Sequence, residues 1–126
     1  MQGLHLTADL HNCRCEARWL LDANALADWC AEALGSTGLS PVAKLHHNFL
    51  HTGSTPGGAV VSLLLDDETQ INLHTWPAQK AVALDLYVST LNGKNPAVAH
   101  SLMLLLANRF LPEWTEQRSL DRGDES

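Results

Sequence analysis

Apolar and polar residues alternate along this chain in short runs separated by Gly and Pro clusters, and twice the alternation gives way to a helical stripe. The first stripe is "ANALADWCAEAL". Ala25, Leu26, Trp29, Cys30, Ala33 and Leu34 recur there at helical spacing, behind Asp22 as a good N-cap and before Gly35 as a stop. This predicts a helix over residues 22–34 and puts Cys30 in the core. The second stripe is "NPAVAHSLMLLLANRF", with Asn95 as cap, Pro96 at the first helical position and Pro112 just beyond the end. A helix over residues 95–110 is expected, with Val98, Leu102, Leu105 and Leu106 facing inward.

Residues 4–11, 42–50, 59–66, 70–76 and 81–89 read as strands, most with alternating or β-branched content. Between them, "HTGSTPGG" reads as a mobile loop, "DDE" as a tight acidic turn and "PAQK" as another turn. Such short links favour antiparallel neighbours. The order is β-α-β-β-β-β-α. Each helix has one apolar stripe, and both are buried most economically on one sheet face. The expected fold is therefore α+β: a two-layer sandwich, an antiparallel sheet with two helices on one face. "VVSLLL" and "VALDLYV" are too apolar for a sheet face left wet, so the opposite face is expected to close a dimer. Residues 1–114 read as a single domain. Residues 115–126, "TEQRSLDRGDES", are polar and without period, which predicts a frayed tail.

Composition narrows the function. A chain of 126 residues with 45% hydrophobic and 17% charged residues fits one globular core, and no apolar run approaches the ~18 residues of a membrane span. The first residues lack the basic start and apolar stretch of a signal peptide, so the cytoplasm is the expected compartment. A net charge of −6 with eight unclustered Lys and Arg leaves no footprint for nucleic acid. Cys13 and Cys15 are one residue apart, unlike zinc knuckles or redox pairs, and reduced thiols are expected. His46, His47 and His51 lack a helical i, i+4 pair, so no metal site is expected.

The unusual chemistry lies in "DETQINLHTWP". A hydroxyl residue, Thr69, follows Glu68 directly in a turn, and His74 stands five residues on at the far end of the next strand. At ~3.3 Å per residue the two could cooperate only if the turn bends back or another strand intervenes.

"GLHLTADLHNC", "LHHNF" and "DETQINLHTWPAQKAVALDLYVS" resemble three landmark segments of the prokaryotic S-adenosylmethionine decarboxylase family, over about residues 3–110. In that family a Glu-Ser pair stands at the positions of Glu68 and Thr69, His-Thr-Trp-Pro follows at the same interval, and a cysteine stands at the position of Ser89. The resemblance implies polyamine (spermidine) biosynthesis and a self-made cofactor. The serine attacks the preceding carbonyl, the ester is lost by β-elimination, and the remnant becomes a pyruvoyl group whose ketone forms a Schiff base with the substrate amine. Such a group is an electron sink for the carbanion left by loss of carbon dioxide. By resemblance, Glu68 gives the acyl half of the bond to be broken and His74 is the base for the elimination. Position 89 holds the acid that returns a proton to the substrate carbon.

This chain departs from the family at several chemical positions. Threonine carries a hydroxyl, but its elimination would leave a 2-oxobutanoyl group with an extra methyl, and its β-branched side chain is stiffer. Ser89 replaces a thiol of pKa near ~8.5 with an alcohol, a far weaker acid. Upstream, "GAVVSLLLDDET" is one residue longer than the family's stretch and lacks its aligned hydroxyl, for which Ser62 would have to substitute. His46 aligns with an aromatic residue that helps hold the adenine, while Phe49 is kept. Phe49, Trp76 and Glu68 would offer stacking and a carboxylate to a sulfonium nucleoside.

The expected protein is an unprocessed, catalytically silent homologue without a resident cofactor. It would bind S-adenosylmethionine or a related nucleoside and pair with itself or with an active paralogue. The alternative is an active decarboxylase that cleaves itself between Glu68 and Thr69 to form a 2-oxoacyl cofactor. The third reading leaves His-Thr-Trp-Pro as packing only.

Overall fold

The computed structural model describes residues 3–66, 68–89 and 96–122. Strand β1 (Gly3–His11) is followed by a single turn, α1 (Arg18–Leu21), and by α2 (Ala23–Gly35). Then come β2 (Pro41–Asn48), β3 (Ala59–Leu65), β4 (Gln70–Trp76), β5 (Ala81–Ser89), α3 (Pro96–Asn108) and β6 (Trp114–Arg122). All neighbouring strands are antiparallel, and the six-stranded sheet has the order β2-β3-β4-β5-β1-β6. The two long helices bury their stripes on one face of it, the α+β sandwich that the pattern predicts.

Alternation decides what that face buries. Leu6 and Leu10 of β1, Val61 and Leu63 of β3, Ile71 and Leu73 of β4, and Leu84 and Leu86 of β5 form its floor. Leu26, Cys30 and Leu34 from α2 and Leu102, Met103 and Leu106 from α3 close over it. Cys30 is core as expected, and burial pushes its thiol up to about 12. The apolar surplus of β3 and β5 is thus taken up by the helices. The opposite face is mixed, with Ser62, Asn72, Asp85 and His5 beside Val60 and Leu64.

Asp22 works at the helix junction as its side chain suggests. It ends α1 by donating its N–H to the Arg18 carbonyl (2.9 Å), and it caps α2 by accepting from the Ala25 N–H (3.0 Å). Asn48, at the end of β2, accepts from the Ala23 N–H (2.9 Å) and donates to the Leu21 carbonyl (2.6 Å), tying that junction to the sheet.

Some expectations fail. Residues 114–122 are not a frayed tail but β6, paired with β1 from His11↔Trp114 to Gly3↔Arg122. Both its faces are wet, so backbone pairing holds it without an apolar period. A ring stack of His11 on Trp114 (3.9 Å), a hydrogen bond between His11 and Glu116 (3.0 Å) and an ion pair of Arg118 with Asp9 (3.4 Å) add to that pairing. Leu102 and Leu106 are buried as expected, but Val98 points outward at 49% exposure, because the buried stripe of α3 begins at Ala99 and includes Met103. The expected cap Asn95 and one residue of the acidic turn, Asp67, lie outside the described residues. No described helix is long and apolar enough to cross a membrane.

Candidate functional site

The β3–β4 hairpin places the residues of interest. The Leu65 N–H donates to the Thr69 carbonyl (2.9 Å) and the Glu68 N–H to the Leu65 carbonyl (3.1 Å), closing the turn. Glu68 takes φ +70°, a left-handed conformation that costs a non-glycine residue roughly 1 kcal/mol. Thr69 follows in the core-facing row of Ile71, Leu73 and Thr75 and is 1% exposed. Tyr87 pairs with Gln70 and Ser89 with Gly3, so the backbone of Ser89 ends β5 at the Glu68–Thr69 end of the sheet.

His74 stands elsewhere. It lies in the alternate row of β4, between Val60 of β3 and Ala83 of β5, on the face opposite the helices. Five residues of strand separate it from Thr69, roughly 16 Å at ~3.3 Å each. The two share neither an end nor a face of β4, so within one chain His74 is not the base that serves Thr69.

What His74 does have is an aromatic setting. Its ring stacks on Trp76 at 3.9 Å and 5° and lies at 5.6 Å and 25° from Phe49, which meets His47 edge-on at 5.1 Å. Trp76 and Phe49 are 41% and 46% exposed, leaving ring surface open. Removal of water from around His74 lowers its pKa, so it is neutral at neutral pH. The open ring surface of Trp76 and Phe49 can stack a flat heterocycle, and the edge of the neutral His74 imidazole can exchange a proton.

The next residue, Thr75, fixes this platform. Its fully buried hydroxyl donates to the Leu20 carbonyl (2.7 Å) and accepts from the Ala59 N–H (2.8 Å), joining α1, β3 and β4. Gly58 lies against the Thr75 carbonyl oxygen, which a Cβ at that position would overlap.

A sequence profile described as S-adenosylmethionine decarboxylase matches residues 4–123. The chain belongs to the S-adenosylmethionine decarboxylase family. It is 30% identical over 122 residues to the S-adenosylmethionine decarboxylase proenzyme of a Sulfurihydrogenibium species, covering 96% of this chain and 82% of that one. It is 26% identical over 121 residues to the proenzyme of Persephonella marina, with coverage of 96% and 82%. The crystal structure of the adenosylmethionine decarboxylase from Aquifex aeolicus superposes with a TM-score of 0.77 at 24% identity, covering 98% of this chain and 92% of that one, a likeness of fold.

The site residues expected from the family resemblance thus divide into two groups. Glu68, Thr69 and Ser89 gather at one end of the sheet, and Phe49, His74 and Trp76 at the other. His46, expected beside the adenine, pairs with core-facing Val61 and so lies on the helix side of β2, away from the aromatic cluster; His47, paired with Val60, meets Phe49 of that cluster instead. Ser62 cannot stand in for the missing hydroxyl near Thr69, because it lies on the opposite face and donates to Asn72 Oδ1 (2.6 Å). Two contributors escaped the sequence reading, His47 and Thr75. Their parity with Phe49 and with the buried row of β4 was the available signal, but the register of β2 on β3 was needed to read it. Among the described residues no three His, Cys, Asp or Glu groups converge as metal ligands would.

Proposed function

We propose that this chain is an unprocessed, catalytically silent member of the S-adenosylmethionine decarboxylase family. It binds S-adenosylmethionine or a related nucleoside on the Phe49–His74–Trp76 surface, and it acts in polyamine biosynthesis as a binding or regulatory partner. The observation that carries this reading is the state of Thr69. The family nucleophile is replaced by a β-branched residue whose side chain lies in the core row at 1% exposure, where little room remains for a changed rotamer. Pairing with itself or with an active paralogue would use the helix-free sheet face, where Val60 and Leu64 stand beside polar residues.

The residues present fit a resident 2-oxoacyl group poorly. Its source would be Thr69, and the alcohol expected at position 89 is a weak acid beside the family's thiol. A second reading, the active decarboxylase cleaved between Glu68 and Thr69, is favoured by the left-handed φ of Glu68, which loads the residue before the scissile bond. The chain's similarity to relatives called proenzymes supports it too.

Denaturing mass spectrometry separates the two. An intact chain is expected, whereas fragments 1–68 and 69–126, the second reactive with hydroxylamine, would overturn the silent reading. Cleavage confined to a Thr69→Ser variant would identify Thr69 as the block. Calorimetric titration with S-adenosylmethionine to millimolar concentration should show saturable heat that Phe49→Ala and Trp76→Ala reduce. A flat trace would leave the aromatic cluster as packing only.

A further inference from the structure

Beside the helix junction, the described residues line an open pocket of about 510 Å³, within the size range of small-molecule sites. Its walls are apolar, formed by Leu20, Pro56 and Pro77 with the buried Cys13. Two cations stand at it, Arg14 and Lys80, and no Asp or Glu lines it. In a chain with fourteen acidic and eight basic residues, an indifferent lining would favour acids. Neither cation is ion-paired among the described residues, although Lys44 and Arg118 elsewhere are.

The backbone holds this arrangement in place. The Cys13 N–H donates to the Lys80 carbonyl (2.8 Å) and the Arg14 N–H to the Leu111 carbonyl (3.0 Å), so the two cation-bearing segments are tied to each other and to the end of α3. Lys80 itself takes φ +52° and closes the turn after Trp76 by donating to the Pro77 carbonyl (3.1 Å). On the opposite wall, the loop carrying Pro56 is held where the Gly57 N–H donates to His51 Nδ1 (3.2 Å). An open, largely apolar pocket with an exposed guanidinium and an exposed ammonium at its rim offers a two-point seat for an anionic head and an apolar wall for the body attached to it.

We propose that this cavity binds a small organic anion, a carboxylate or phosphate carried on a compact apolar body, at a site separate from the Phe49–His74–Trp76 surface. The site does not depend on whether Thr69 is processed or a nucleoside is bound. The test uses the intact protein and 1-anilinonaphthalene-8-sulfonate, a fluorescent anion with an apolar body. Saturable binding of one probe per chain is expected, with the neutral analogue N-phenyl-1-naphthylamine at least about tenfold weaker, as loss of one charge-assisted contact implies. Arg14→Gln with Lys80→Asn, the latter tolerant of the left-handed backbone, should weaken the anion about tenfold or more, and Arg14→Gln alone about threefold. Arg118→Gln, on the distant edge strand, should leave it unchanged. Displacement of the probe by benzoate or by phenyl phosphate tells a carboxylate ligand from a phosphate one. Occupancy should also slow alkylation of Cys15, which lines the cavity, by iodoacetamide. Equal affinity for the neutral probe, equal affinity in the double variant, or no saturable binding would overturn the proposal.

Discussion

Replacing Thr75 with Val keeps the shape of the side chain and deletes its hydroxyl, which tests whether this threonine of the His-Thr-Trp-Pro segment is structural. Two buried backbone groups lose their partner, the Ala59 N–H at 2.8 Å and the Leu20 carbonyl at 2.7 Å, and water cannot replace it because Thr75 is 0% exposed. Each orphaned buried donor or acceptor costs about 1–3 kcal/mol and the methyl gained returns roughly 1 kcal/mol, so for the two groups a net loss of about 3 kcal/mol, within a range of about 1–5, is expected. For a domain of 126 residues this lowers the melting temperature by about 8–12 °C. Thr75→Ser, which keeps the hydroxyl and loses one buried methyl, should cost only about 1 kcal/mol. Thermal denaturation followed by circular dichroism, with urea titration as a check, measures both. A Thr75→Val protein melting within about 2 °C of the parent, or a serine variant as damaged as the valine one, would refute the reasoning.

Other outcomes follow from the same structure. Because burial depresses the pKa of His74, the unfolded chain takes up the proton first as pH falls below the ordinary value near 6.5. Stability should therefore be full above that value and decline through the window down to the depressed folded pKa, a slope that His74→Gln removes in urea titrations across pH. Gly58→Ala should destabilise by at least about 2 kcal/mol, since the new Cβ meets backbone at Thr75, whereas Gly35→Ala, with open space around it at the end of α2, should stabilise by up to about 1 kcal/mol. Burial raises the Cys13 thiol to about 11 and the Cys30 thiol to about 12, so a chromogenic disulfide at pH 8 should titrate Cys15 first in the native protein, and all three cysteines only after denaturation.

Much of this fold was legible in the sequence where one face of an element is buried. The bounds of β4 and β5 coincide with the alternating segments 70–76 and 81–89, and the Asp22 cap sets the start of α2. Elements without a buried face were not legible. β6 is polar on both sides and exists through its pairing with β1, and α1 is four residues long, too short to display a period. In α3 the buried Leu102 and Leu106 were legible, but Val98 was taken as inward in place of Ala99, because both are apolar and only packing distinguishes them. In the candidate site, the separation of Thr69 from His74 could be read from strand length alone. The exchange of His46 for His47 could not, since it depends on which β2 residue faces Val60.

The pairing of Gly3 with Arg122 brings the beginning and the end of the described fold side by side, on adjacent antiparallel strands. A short linker could therefore join them, and the chain could be reopened at the exposed turn before Thr69 with all six strands kept in place. A circular permutant that starts at residue 69 would carry a free amine at the head of β4, with the break in the same position as a self-cleaved chain but made without any ester chemistry. It would separate the geometric effects of a severed hairpin from the chemical effects of the group that self-cleavage would leave there.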